Sequence, residues 1–259
     1  MDLIGGWAAH MRLSGKAPTT VRSRTRTLRR VARDVGPLDT LTRRDLEAWL
    51  AAFEKPSTRF TNLSYVRCFY RWALDEELVQ TDPTARIPAV KVPRRLPRPI
   101  ATDELTAALE AAPPRTRIWM ELMAYAGLRV SEVAACHPQR HLNAGNDGAW
   151  WLDIPVAKGG SFQTVYLPTW LAWKLRDTPP WSITGQTVNH DVTKVLRAIG
   201  SQATPHQLRH WFGTTLAQTS SAFTVQRQMR HASMSTTAGY VQVQARVLVD
   251  AAEGLPRIA

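Results

Sequence analysis

Apolar residues recur at helical intervals through the first part of the chain, and many of the positions between them are basic. The segment opened by Pro18-Thr19-Thr20 and closed by Gly36-Pro37 shows this best. At about 100° per residue, Val21, Leu28, Val31, Ala32 and Val35 share one side of a helix. Arg22, Arg26, Arg29, Arg30 and Arg33 fill an arc of roughly 100° on the opposite side. A second helix is predicted from Thr42 as N-cap, with Asp45 in the capping-box position and Leu46, Trp49, Leu50 and Phe53 turned inward. A third buries Phe60, Leu63, Val66, Phe69, Tyr70 and Ala73 and leaves Arg59, Arg67 and Arg71 outside. Residues 1–87 are therefore expected to form a small basic helical bundle.

The pattern breaks between Ile87 and Pro99. Pro88, Pro93, Pro97 and Pro99 preclude a regular helix and favour an extended linker over residues 88–99. Its basic residues, Lys91, Arg94, Arg95 and Arg98, either follow a phosphate backbone or simply keep the linker solvated. From residue 100 to 259 the pattern is mixed. Thr102-Asp103-Glu104-Leu105 opens one helix, and another, around Ile118, Leu122 and Tyr125, stops near Gly127. Trp151–Ile154 and Thr164–Leu167 alternate like strands joined across Lys158-Gly159-Gly160, a hairpin signal. Helices follow from Val188 to Ile199 with Gly200 as terminator, from Pro205 to Leu216, and from Val225 to Arg230. The expected fold class is mainly α, an N-terminal bundle plus a mixed α+β domain with a small antiparallel hairpin.

Charge adds a partner class. The chain of 259 residues carries a net charge of +12, of which +9 lies in residues 1–99 and +3 in residues 100–259. A basic excess favours a polyanion, whether nucleic acid or an acidic protein surface. Charge runs are usually solvated faces, but those mix signs, and only Asp34 is acidic between residues 18 and 38. The five-arginine stripe is therefore read as a phosphate-contacting face. No run of about 18 uncharged apolar residues indicates a membrane span, and the N-terminus lacks the pattern of a secretion signal. Cys68 and Cys136 are far apart and suit a reducing cytoplasm as packing residues.

The chemistry concentrates in His206-Gln207-Leu208-Arg209-His210, directly after Thr204-Pro205. Pro at a first helical position makes this a helix start, with His206, Arg209 and His210 on one face at i, i+3 and i+4. Two imidazoles, a guanidinium and the free N–H groups of a first turn make an anion site. His-x-x-x-His is also a zinc spacing, but a metalloprotease places Glu where this chain has Gln207, and no third ligand is evident. Standing alone, the segment is also compatible with a helix start that merely carries surface histidines.

It is accompanied by Gly127-Leu128-Arg129-Val130-Ser131-Glu132 upstream and by His231, followed nine residues later by Tyr240, downstream. In this order, with a hairpin lysine between them, the motifs resemble those of the tyrosine recombinases, or phage integrases. The likeness spans essentially the whole chain, since that family places a basic helical core-binding domain ahead of its catalytic domain. The resemblance implies that Arg129 and Arg209 grip the non-bridging oxygens of a scissile phosphate, a task suited to planar forked donors. It implies Tyr240 as nucleophile, His206 as the residue that assists proton movement, His231 as a phosphate hydrogen-bond donor and Lys158 as the acid for the departing 5′-oxygen. Glu132 and His210 correspond to supporting positions that orient Arg129 and the motif helix. Such chemistry needs no metal and no cofactor. The implied DNA contacts are Arg22, Arg26, Arg29, Arg30, Arg33, Arg67, Arg71, Arg94 and Arg95.

The same resemblance implies double-stranded DNA attachment sites as substrate and a monomer in solution that becomes a tetrameric synapse on DNA. It further implies a host DNA-bending protein or excision factor as accessory and a cytoplasmic, nucleoid-associated location in a bacterial cell. No arm-site domain is expected ahead of the bundle, which suits a compact integrase. One departure stands out: the family usually has Gly before the second histidine, and this chain has Arg230. The turn differs there, or Arg230 adds a phosphate contact. Three other readings are open: a catalytically silent DNA-binding regulator, a type IB topoisomerase, and a zinc hydrolase built on His206 and His210.

Overall fold

The computed structural model describes residues 2–93, 96–155 and 163–231. The chain divides into two compact units, Met1–Arg94 and Arg95–Ala259. Among the described residues of the first unit, the regular elements are α1 (Leu3–Leu13), α2 (Pro18–Asp34), α3 (Arg43–Ala51) and α4 (Pro56–Asp75). Proline at the first helical positions starts α2 and α4, where a missing N–H costs nothing. Thr42 and Asp45 exchange hydrogen bonds as a capping box at the head of α3. These helices bury Trp7, Met11, Leu28, Val31, Leu46, Leu50, Leu63, Val66 and Phe69 in one core. The Tyr70 hydroxyl donates to the buried Leu38 carbonyl at 2.7 Å, which ties the α2–α3 loop to α4.

One expectation for this unit needs correction. Phe60 is 52% exposed and lies outside the core. Each step of three residues falls about 60° short of a full helical turn, so a run counted in threes drifts off the buried stripe. Trp72 takes part in the core instead. Helix α1 has a sequence signature that two adjacent glycines hide. The Asp2 carboxylate caps it by accepting from the Gly5 N–H at 2.9 Å, and a Cβ on Gly5 would sit 2.3 Å from that carboxylate. Gly5 is what lets the cap fold back so closely.

The second unit contains α5 (Thr102–Ala111), α6 (Pro114–Tyr125), α7 (Val130–Ala135), α8 (Pro138–His141), β1 (Leu142–Ala144), β2 (Trp150–Ile154) and β3 (Gln163–Leu167). It continues with α9 (Thr169–Arg176), α10 (Gly185–Ala198), α11 (Pro205–Thr219) and α12 (Ala222–Met229). Among the described residues the chain is thus mainly α, with one antiparallel sheet in the order β1-β2-β3. In the β2–β3 pairing Leu152 stands opposite Val165 and Trp150 opposite Leu167, so alternate residues, with Ile154, point into the core. Strand β1 and the short helices α7 and α8 were not foreseen from the pattern, each being too short to show a period.

Helix α6 is the hub. Every residue from Ile118 to Ala124 is buried, as befits a helix covered on all sides, and α5, α7, α9, α10 and α11 pack on it. Its one acidic residue, Glu121, is paired with Lys174 Nζ of α9 at 2.5 Å. Ile100 is buried at the start of this unit and its N–H donates to the Gln207 carbonyl at 3.2 Å.

Replacing Leu28, fully buried, by Ala should cost roughly 3 kcal/mol of unfolding free energy. The same change at Leu13, 91% exposed, should cost less than about 0.5 kcal/mol. Urea titration of the full chain measures both, and equal costs would contradict the described core.

Candidate active site

Three segments far apart in the sequence meet in the second unit: the α6–α7 turn, the first turns of α11 and the end of α12. The α6–α7 turn reverses at Gly127, whose φ is +64°. A Cβ there would lie 2.6 Å from the Phe212 ring, so only glycine lets α11 approach this closely. Arg129 follows as N-cap of α7 in extended geometry. Its N–H donates to Glu132 Oε2 at 2.8 Å, and its guanidinium Nη1 to Glu132 Oε1 at 2.7 Å.

Glu132 is the buried centre of the arrangement. Arg230 Nη2 lies 2.5 Å from its Oε2, and Arg209 Nη1 lies 4.0 Å away. Burial pushes the carboxyl upward, but the charge of Arg230 and the bonds and charge from Arg129 outweigh it, so Glu132 stays below the ordinary carboxylate range. Arg209 is 2% exposed, and its two terminal nitrogens donate to the carbonyls of Gly127 and Met229. The Arg129 side chain is 41% exposed and is the more open of the two predicted arginines.

Helix α11 begins with Thr204 and Pro205, and Gln207 Oε1 accepts from the Thr204 N–H at 2.8 Å. That capping box gives Gln207 a local task at the position where a zinc protease would need glutamate. The His206 and His210 rings stand edge to face with centroids 4.4 Å apart. Partial burial, then Arg209 and Arg129, lowers the His206 pKa. Partial burial, His206 and Arg209 bring His210 to about 4. His231 is likewise brought to about 4, by burial and then by the charges of Arg209, Arg129 and Arg230. All three imidazoles are therefore neutral near pH 7, by burial first and by the surrounding guanidinium charge second. Among the described residues no group of three His, Cys, Asp or Glu side chains could hold a metal ion.

Arg230 resolves the departure noted in the sequence. The turn keeps a left-handed residue before His231, with φ 53° and ψ 48° at Arg230. Its guanidinium is buried against Glu132 and the Gly127 carbonyl, 3.1 Å away, so it turns inward and is not presented at the surface. The end of α12 is also bound to the sheet. The Gln228 side chain donates to the Tyr166 carbonyl at 2.8 Å and accepts from the Tyr166 N–H at 3.3 Å, which places β3 beside the segment that carries His231. Gln228 did not stand out in the sequence, and Arg230 stood out only as a departure from the family pattern, because each acts through tertiary contacts. Lys158 and Tyr240 lie outside the described residues. Lys174, one of the other lysines of this unit, is occupied by Glu121.

In the first unit Arg22, Arg26, Arg29, Arg30 and Arg33 line one surface recess, and all are exposed. Two of them are not simply available. Arg30 and Arg33 donate to the Asp34 carboxylate at 3.3 and 2.9 Å, and Arg30 also lies over the Phe53 ring at 4.8 Å. Arg67 is half-buried, and its guanidinium donates to the Ile87 carbonyl, which braces the end of the bundle. Arg71 is exposed, and Arg94 and Arg95 lie outside the described residues. Among the described residues no helix is long and apolar enough to cross a membrane.

Residues 179–246 match the model of the phage integrase family. A tyrosine recombinase XerC of Rhodospirillum centenum is 31% identical over 250 residues, covering 85% of this chain and 72% of that protein. A tyrosine recombinase XerA of Pyrococcus furiosus is 26% identical over 280 residues, covering 97% and 93%. Among solved structures, a lambda integrase tetramer bound to a Holliday junction superposes with a TM-score of 0.73 at 17% identity, over 93% of this chain and 76% of that one. Lambda integrase residues 75–356 bound to DNA gives 0.72 at 17% identity, over 94% and 95%. The chain belongs to the tyrosine recombinases of the phage integrase family, DNA strand-transferring enzymes of site-specific recombination.

Gly127→Ala should cost roughly 3 kcal/mol, combining left-handed strain with overpacking against Phe212. A thermal or urea midpoint equal to wild type would contradict the turn geometry. The histidines predict a pH dependence. Between about 4 and the ordinary 6.5 the unfolded chain binds protons that folded His210 and His231 refuse. Stability is therefore full above 6.5 and falls as pH drops through that window. The slope of urea midpoint against pH should flatten in His210→Asn, and an unchanged slope would contradict the assignment.

Proposed function

We propose that the second unit cleaves and rejoins DNA by transesterification at Tyr240. The phenolic oxygen attacks a scissile phosphorus, a P–O bond forms to Tyr240, and the bond to the 5′-oxygen breaks. The product is a 3′-phosphotyrosine and a free 5′-hydroxyl; attack by a 5′-hydroxyl reverses the step without ATP. Arg129 and Arg209 hold the non-bridging oxygens, where forked cations gain most as charge develops. His206, neutral at pH 7, assists transfer of the tyrosine proton, since a phenol with a pKa near 10 needs a partner to react. His231 donates to a phosphate oxygen, Lys158 protonates the leaving 5′-oxygen, and Glu132 and His210 support the constellation.

The observation that carries this reading is the Glu132 cluster. One carboxylate gathers Arg129, Arg209 and Arg230 from three segments, with His206 and His231 close enough to feel their charge. Such a cluster keeps a surplus of positive charge and suits a dianion-like transition state better than a neutral substrate. The silent regulator, the topoisomerase and the zinc hydrolase gain no observation of their own.

We further propose that the first unit binds double-stranded DNA through the α2 stripe. Arg22, Arg26 and Arg29 are its leading phosphate contacts, since Asp34 draws on Arg30 and Arg33. The neighbours named above include a tetramer on a Holliday junction, which supports a four-subunit synapse for this chain.

Incubation with a nicked suicide duplex of attachment DNA should give a denaturation-resistant protein–DNA band that maps to Tyr240. Tyr240→Phe should bind the duplex normally yet form no band, and Arg209→Ala should lose cleavage by orders of magnitude while weakening binding less. A covalent band that persists in Tyr240→Phe would refute the assignment.

A further inference from the structure

Arg230 combines two features that are each unfavourable on their own. It is a non-glycine residue at φ 53°, a left-handed conformation strained for an L-residue. It is also a guanidinium whose side chain is 2% exposed, and burying such a charge is costly without close partners. Its Nε is buried with no hydrogen-bond partner among the described residues. What offsets these costs is a specific set of acceptors. Nη2 reaches Glu132 Oε2 at 2.5 Å and the Gly127 carbonyl at 3.1 Å, and Nη1 reaches the Gln228 carbonyl at 2.9 Å.

The contact with Arg129 runs in both directions. Arg129 Nη2 donates to the Arg230 carbonyl at 3.4 Å, while both guanidiniums hold the same Glu132 carboxylate. Without Arg230, that buried anion would keep, among the described residues, Arg129 at 2.7 Å and the more distant Arg209 Nη1 at 4.0 Å. A carboxylate neutralised mainly by Arg129 takes much of that arginine's field away from any other anion. Shared between two, it fixes the orientation of Arg129 and leaves net charge directed outward.

We propose that Arg230 is a positioning residue for the strand-transfer reaction: it takes up Glu132's negative charge and pins the residue before His231 to the Gly127 turn. Arg129 and His231 are thereby held as one body, with Arg129 free to act on a phosphate. This rests on the reading of the site given under the proposed function. It also explains why the chain carries a left-handed arginine where glycine would be the unstrained choice.

The test compares wild type, Arg230→Gly and Arg230→Lys on the nicked duplex, reading duplex affinity and the single-turnover rate of covalent-adduct formation separately. Glycine accepts the left-handed backbone without strain, so the variant keeps its turn, and a thermal midpoint checks the fold. Arg230→Gly should bind the duplex like wild type while forming the adduct roughly tenfold to a hundredfold more slowly, the scale of a displaced catalytic group. Arg230→Lys should recover part of that rate, since it restores charge without the forked geometry. Wild-type rates in Arg230→Gly would overturn the proposal, as would a loss that Lys does not relieve at all or one that falls entirely on duplex affinity. Absence of any adduct from wild type would instead overturn the functional reading itself, and this proposal with it.

Discussion

A single buried carboxylate surrounded by guanidinium groups organises the second unit. Glu132 sits three residues after Arg129, and an acidic side chain at that position can cap the helix start and hold the arginine at once. The remaining cations arrive from α11 and from the residue after α12, and they arrive only because Gly127 lets the turn pass beside Phe212. The packing of α6 as an all-buried hub, with α11 against it, therefore serves an electrostatic end. It brings like charges together around one anion in a place where water screens them little. Partial burial, with the guanidinium charges added to it, keeps the nearby histidines neutral.

The two units differ in how they present charge. In α2 the five arginines of the stripe are exposed along a helix face and contribute to an extended, salt-sensitive field, with Arg30 and Arg33 also held by Asp34. Asp34, with a pKa lowered by its bonds to Arg33, Trp49 and Arg30, is a local brake on that field. Around Glu132 in the second unit, the guanidiniums of Arg129, Arg209 and Arg230 are buried or half-buried and have fixed partners. The first arrangement suits holding a polyanion, and the second suits acting on one phosphate at a set distance.

Much of this was legible in the sequence. The stripe of α2, the capping box at Thr42, the helix stops at Gly127 and Gly200 and the β2–β3 pairing all follow from local rules that the folded chain obeys. The co-occurrence of Arg129, Glu132, His206, Arg209, His210 and His231 was visible because each belongs to a short motif. What escaped was non-local or too short to have a period. Strand β1 has three residues, α7 six, and α1 begins with a glycine pair that lowers its helical signal. The inward turn of Arg230, the bracing role of Arg67 and the pairing of Lys174 with Glu121 depend on partners 98, 20 and 53 residues away in the chain. Phe60 was misplaced because spacing by threes imitates a helical stripe for only a turn or two.

The central claim is that the arginines around Glu132 and the tyrosine beyond His231 serve one phosphorus atom. A crystal structure of the chain trapped covalently on a nicked duplex measures this most directly. Nitrogens of Arg129 and Arg209 should lie within about 3 Å of the oxygens of the phosphate esterified to Tyr240. A complex in which those arginines hold a different phosphate, or in which the phosphorus is bonded to another residue, would contradict it.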